Sequence, residues 1–124
     1  TYEAIIDPQG IGVCHCTDCK ILSGTPFRTV AHVNTDQFKL LSGKPKIYVK
    51  VGGSGQPRNM AFCATCGTQL YGIGDGEAAK VLSLRVGTCN QRAELRPVRQ
   101  IWRRSAVKWL GDLGIAESHE QGIK

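Results

Sequence analysis

The sequence predicts a mainly β fold, a single small domain of short antiparallel strands, and three observations lead there. Apolar and polar residues alternate in short runs, most clearly from Lys46 to Val51 and from Lys80 to Val86. Turn-forming residues recur about every ten positions, as a fold of short strands requires. Helical periodicity is confined to one short stretch, Ser105 to Leu110. With 124 residues, 41% of them hydrophobic, the chain has room for one domain and a modest core. Three Phe, two Trp and three Tyr give that core little aromatic mass, so a further staple would help it.

Taken in order, Tyr2 to Ile6 is rich in β-formers and predicts a first strand. Asp7-Pro8-Gln9-Gly10 is a turn, and Ile11 to Cys16 follows as the second arm of a hairpin. Leu22-Ser23-Gly24-Thr25-Pro26 predicts a loop, and Phe27 to Val33 the next strand, broken at Asn34-Thr35-Asp36. Asp36-Gln37-Phe38 can cap a single helical turn. Lys46 to Val51 is a near period-two strand, and Gly52-Gly53-Ser54-Gly55 a flexible connection. Asn59 to Cys63 and Thr68 to Ile73 predict the arms of a hairpin. Lys80 to Val86 is a strand ended by Gly87, and Arg99 to Arg103 one more. From residue 116 the chain turns polar, so the domain is expected over 1–115 with a frayed tail at 116–124.

The net charge of +6 favours anionic partners. Seven of the sixteen basic residues lie between Arg85 and Lys108. That late segment carries neither a basic helix nor a series of aromatic stacking platforms, so a solvated basic face is the plainer reading than nucleic-acid binding. No run of ~20 apolar residues marks a membrane span, and no charged, apolar, small-residue leader opens the sequence. The chain begins at Thr1, in what reads as a strand already under way, so further residues are expected upstream.

Six cysteines are the most informative feature. Cys14, Cys16 and Cys19 crowd together, as do Cys63 and Cys66, a clustering that suits metal knuckles in a reducing, cytoplasmic setting better than disulfides. Cys14 and Cys16 stand at i and i+2, on one face of an extended chain. A turn can then fold Cys19 back over the same point. Thiolates are soft donors, and zinc accepts the tetrahedral arrangement they offer. On spacing alone three readings stand, one of them a redox or metal-free role for the cysteines. Cys16-x-x-Cys19 and Cys63-x-x-Cys66 can close one structural four-cysteine site, or the first three cysteines can hold a zinc that keeps a position open. An open position deprotonates an incoming thiol and makes it a nucleophile toward a small carbonyl, giving a hemithioacetal.

His15 lies between two of these cysteines, so strand alternation turns it away from them and predicts a packed, hydrogen-bonded ring. His32 falls in a strand pattern and is expected to be structural, and His119 lies in the tail. Cys89 stands alone and is expected to be a buried small hydrophobe.

Phe62-Cys63-Ala64-Thr65-Cys66-Gly67 has the form of a zinc knuckle, with Gly67 free to take the left-handed conformation that ends its turn. Several segments together resemble the glutathione-dependent formaldehyde-activating enzymes and their centromere protein V relatives. They are Cys14-His15-Cys16-Thr17-Asp18-Cys19, Leu22-Ser23-Gly24-Thr25-Pro26-Phe27, Phe38 to Gly43, Phe62 to Tyr71, and Ser83-Leu84-Arg85-Val86-Gly87-Thr88. The resemblance implies a β-tent zinc fold in which Cys14, Cys16 and Cys19 match the catalytic zinc ligands. Cys63 and Cys66 match half of a structural site, whose other half in the family is a Cys-x-Cys upstream of the position of Tyr2. No such motif occurs in this chain, and its loss from the start of the sequence is the expected explanation. The implied activity is that of a carbon–sulfur lyase joining glutathione and formaldehyde. Glutathione is anionic, and Arg28, Arg58 and Arg85 adjoin the matching segments as candidates to meet it. The rival class is a non-catalytic zinc module that binds protein or nucleic acid through the basic late segment.

Overall fold

The computed structural model describes residues 1–52, 55–115 and 119–121, with side chains described to residue 111 and again for 119–121. Among the described residues nine strands form: β1 (Tyr2–Ala4), β2 (Ile11–Cys14), β3 (Arg28–Asn34), β4 (Phe38–Leu40), β5 (Lys46–Val51), β6 (Pro57–Phe62), β7 (Gln69–Ile73), β8 (Val81–Arg85) and β9 (Arg99–Ile101). The mainly β expectation is met. Seven strands make one sheet in the order β5-β6-β7-β8-β3-β2-β9, and β1 pairs with β4 in a separate two-stranded sheet.

The hairpin expected from Tyr2 to Cys16 does not form, because β1 takes β4 as its partner. Asp7 accepts the Gln9 N–H at 2.9 Å and caps a 3-10 turn at Pro8–Gly10. The connection is therefore longer and differently shaped than the two-residue turn that brings neighbouring strands into register. The Ile5 N–H donates to the Gln37 carbonyl at 3.0 Å and extends the β1–β4 side instead. Pairings within the large sheet are antiparallel except the last, where β9 lies parallel to β2, anchored by the Val98 N–H on the Ile11 carbonyl.

A helix, α1 (Thr17–Ser23), occupies the place where a turn and the start of a loop were expected. Its first position is capped by a thiol: the Cys16 Sγ accepts the Cys19 N–H at 3.3 Å. At the other end Gly24, at φ 68°, returns its N–H to the Lys20 carbonyl, a left-handed cap that costs other residues about 1–2 kcal/mol. No residue of α1 is buried, so it has no apolar stripe for periodicity to reveal. Further on, the helical stretch expected over Ser105–Leu110 resolves into 3-10 turns at Arg103–Ser105 and Lys108–Ile115. The frayed tail expected at 116–124 lies, apart from 119–121, outside the described residues. Among those described, no helix is long and apolar enough to cross a membrane.

Strand alternation gives the large sheet two faces of opposite character. Ile11, Ala31, Val33, Leu82 and Leu84 turn to one side, aligned by the pairings Ile11–Ala31, Ala31–Leu84 and Val33–Leu82, and form the core with Val86 and Cys89. The small sheet covers this side through Tyr2 and Phe38, with Phe38 edge-on to Tyr71 at 5.1 Å between ring centres. Cys89 sits in the core as expected, within 3.3 Å of the Tyr2 hydroxyl. The opposite side carries Cys14 on β2, Arg28 and His32 on β3, and Ser83 and Arg85 on β8, by the same registers. Chemistry-bearing residues thus gather on the face the core does not use.

Candidate metal centre

Cys14 ends β2, Cys16 caps α1 and Cys19 lies in its first turn. Strand end and helix start thereby bring three thiols to one point, with every Sγ within 4.8 Å of the others. Sulfurs sharing a tetrahedral zinc at ~2.3 Å stand roughly 3.8 Å apart, so the trio is close to the spacing such an ion requires. Among the described residues no other Cys, His, Asp or Glu joins the group, and the single four-cysteine site that spacing left open does not form.

The three thiols are electrically unequal. Burial, then the hydrogen bond with Cys16, pushes the Cys19 thiol up to about 12. Burial also raises Cys14. At Cys16 burial works in the same sense but is outweighed by the Cys19 backbone N–H and the neighbouring thiols, so its pKa falls. Cys16 is thus the first of the three to ionise and the natural first ligand to a soft cation.

The trio opens on a cavity of about 240 Å³ whose walls carry Arg28, Arg58, Arg85, His32 and Lys50. Asp18, also on the wall, is tied to Lys50 at 2.9 Å. The donor chemistry, three converging thiols with one already depressed, fits a zinc-like ion.

Residues 1–105 match the family described as glutathione-dependent formaldehyde-activating enzyme. The chain belongs to this family. A solved structure of a Rhodobacter sphaeroides protein shares the fold at a TM-score of 0.59 and 14% identity, covering 80% of this chain and 89% of that one. No curated protein matches the chain.

Within this family member, Cys63 and Cys66 lie apart from the trio. They flank the turn between β6 and β7, where the Gly67 N–H donates to the Cys63 carbonyl and Gly67 takes φ 75°. The backbone N–H groups of Cys66 and Thr65 hold the Cys63 thiol below its usual range. Cys63 shares the lining of a separate cavity of about 300 Å³ with Thr1 and Tyr2. The three arginines named from sequence all reach the trio's cavity, although they come from three strands, β3, β6 and β8.

His15 is 1% exposed and its Nε2 lies 2.9 Å from the Gln100 side-chain oxygen, the packed role expected of it. His32 lies on β3, as its strand pattern predicts, and lines the cavity on the face opposite the core, with part of its ring in solvent. Burial of its ring, then Arg99 and Arg58, lowers its pKa. Lys50 and Ser83 also line the cavity and were not singled out from sequence. A signal for His32 existed, since Arg28, Val30 and His32 alternate with Ala31 and Val33 and so face away from them.

Proposed function

We propose that the chain is a zinc-dependent carbon–sulfur lyase that forms or breaks a thiol–aldehyde adduct of the S-hydroxymethylglutathione type. The observation that carries this is a three-thiol cluster, without a fourth ligand among the described residues, opening on a cationic cavity in a member of this family. Zinc at Cys14, Cys16 and Cys19 would supply the Lewis acidity that turns a thiol into a thiolate near neutral pH.

The chain's own residues do the rest. Arg28, Arg58 and Arg85 receive the negative charge of a glutathione-like thiol, and a neighbouring cavity of about 660 Å³, also bordered by Arg28 and Arg85, is of a size that takes the body of such a ligand. His32, less basic than usual, carries the thiol proton to the carbonyl oxygen as the carbon–sulfur bond forms, and takes it back in reverse. Cys63 and Cys66 supply two ligands of a structural zinc. All six thiols are free, and we place the protein in a reducing, cytoplasmic setting where they stay so.

The test follows exchange between glutathione, formaldehyde and their adduct by exchange NMR. Zinc-loaded protein is expected to accelerate exchange in proportion to its concentration, and a chelator to abolish the effect. Spontaneous rates with every thiol tried, alongside nucleic-acid binding that weakens steeply with salt, would favour the non-catalytic rival.

A further inference from the structure

Two of the cavity's arginines are in an unusual position for charged groups. Arg28 is 6% exposed and Arg85 8%, and the Nε of each is buried without a hydrogen-bond partner. The Arg85 Nη1 donates to the Ser83 carbonyl at 3.1 Å, but its Nη2 faces only the Met60 thioether at 3.5 Å, a weak acceptor. Among the described residues the ion pairs are Lys50–Asp18 and Lys80–Glu77, so neither arginine is matched by a carboxylate of the chain. Buried charge without a partner is strongly unfavourable, and a guanidinium is shaped to bind a carboxylate with two parallel bonds.

The thiols do not absorb this charge. Three thiolates around a divalent ion leave one negative charge, whereas Arg28, Arg58 and Arg85 bring three positive ones, and Lys50 with Asp18 cancels. The wall keeps two positive charges in excess. The sheet also leaves room for them: a Cβ on Gly72 would stand 3.1 Å from both the Arg85 Nη2 and the Met60 Sδ, and 3.6 Å from the Arg58 Nη2. Glycine at that strand position lets the guanidinium lie against the backbone.

Position then limits the ligand. Arg28 is the cross-strand partner of Cys14, and Arg85 pairs with Val30 two residues along. Side chains opposite one another start about 5 Å apart, which sets the guanidinium groups close to the thiol trio rather than at the far end of a long substrate. Formaldehyde has no charge with which to meet them.

We propose that Arg28 and Arg85 form a carboxylate subsite beside the three thiols, so that an adduct carrying a carboxylate within a few bonds of its reacting carbon is preferred to that of glutathione and formaldehyde, whose carboxylates lie further away. This rests on the adduct chemistry proposed above. The carboxylate can belong to the carbonyl partner, as in a 2-oxo acid, or to the thiol, as in a short mercapto acid. In either case the thiol sulfur adds to the carbonyl carbon, the carbon–oxygen π bond opens and the thiol proton ends on that oxygen, with no oxidant or reductant required.

The test has a binding arm and an exchange arm, both on the zinc-loaded protein. In the first, calorimetry compares succinate with neutral succinamide at fixed ionic strength. Succinate is expected to bind at least about tenfold tighter, and Arg85→Gln to remove the difference. Gly72→Ala, which keeps every charge and crowds the Arg85 guanidinium together with the Met60 thioether, should weaken succinate severalfold even if the arginine variant does not fold. In the second arm, exchange is followed for glyoxylate or formaldehyde with mercaptoacetate or 2-mercaptoethanol. The wholly neutral pair should be slowest by at least about tenfold, and whichever single carboxylate restores the rate identifies its source. Equal binding of succinate and succinamide, or discrimination that survives both variants, overturns the proposal, as does fast exchange of the neutral pair. Arginine-dependent succinate binding with no exchange for any pair would leave the subsite standing and remove the adduct reading.

Discussion

Cys16→Ser protein is expected to lose the metal of the three-thiol centre and to exchange the adduct more than about 100-fold more slowly than the native chain. Loss of a mere supporting contact around a metal typically costs 10–100-fold, and removal of a ligand should exceed that. Cys16 has the largest expected effect of the three because it does two jobs. Its lowered pKa makes it the first thiolate available to a cation, and its sulfur accepts the Cys19 N–H that starts α1. A hydroxyl can still cap that helix, so the serine variant should fold with near-native circular dichroism while metal analysis shows a deficit. Normal metal content and normal exchange would remove Cys16 from the centre.

Leu84→Ala is expected to be the most damaging change for stability. Leu84 is 0% exposed and sits on β8 between Ala31 of β3 and Tyr71 of β7, at the middle of the core face. Truncation of a buried leucine costs about 2–5 kcal/mol through lost burial and the cavity left behind. Against a total stability of about 5–15 kcal/mol this should lower Tm by roughly 10 °C or more in thermal unfolding. Since Ser83 and Arg85 on either side point to the opposite face, metal content well below the transition should be unchanged. A Tm within about 2 °C of native would show that the core does not sit where the register places it.

The two outcomes separate the faces of one sheet, and this division was only partly legible in the sequence. Lys46–Val51 reads correctly to the residue because its alternation is a local property and its partners are sequence neighbours across a hairpin. β1 misleads because a strand's partner is decided at a distance: its pattern says extended, but β4 rather than β2 is opposite it. α1 was hidden for a different reason. None of its residues is fully buried, and its capping group is a cysteine thiol in place of the usual hydroxyl or carboxylate.

The candidate centre follows the same rule. Cys14, Cys16 and Cys19 are close in the chain, so their convergence needs only a strand end and one turn of helix. Whether Cys63 and Cys66 would join them depends on tertiary structure, and spacing could not exclude it. The arginines were named by their nearness to family-like segments, whereas the burial of Arg28 and Arg85, and their lack of carboxylate partners among the described residues, emerge only once the strands of the sheet lie side by side. His32 went the other way, since its strand was recognised but not the face it occupies.

The central claim is most directly tested by counting sulfur ligands with zinc-edge X-ray absorption, taking the difference between the native chain and Cys16→Ser to isolate the three-thiol centre. The account predicts three sulfurs at ~2.3 Å and one lighter donor, changing to four sulfurs when glutathione is added. Four sulfurs before any thiol is present, with no change on its addition, would contradict it.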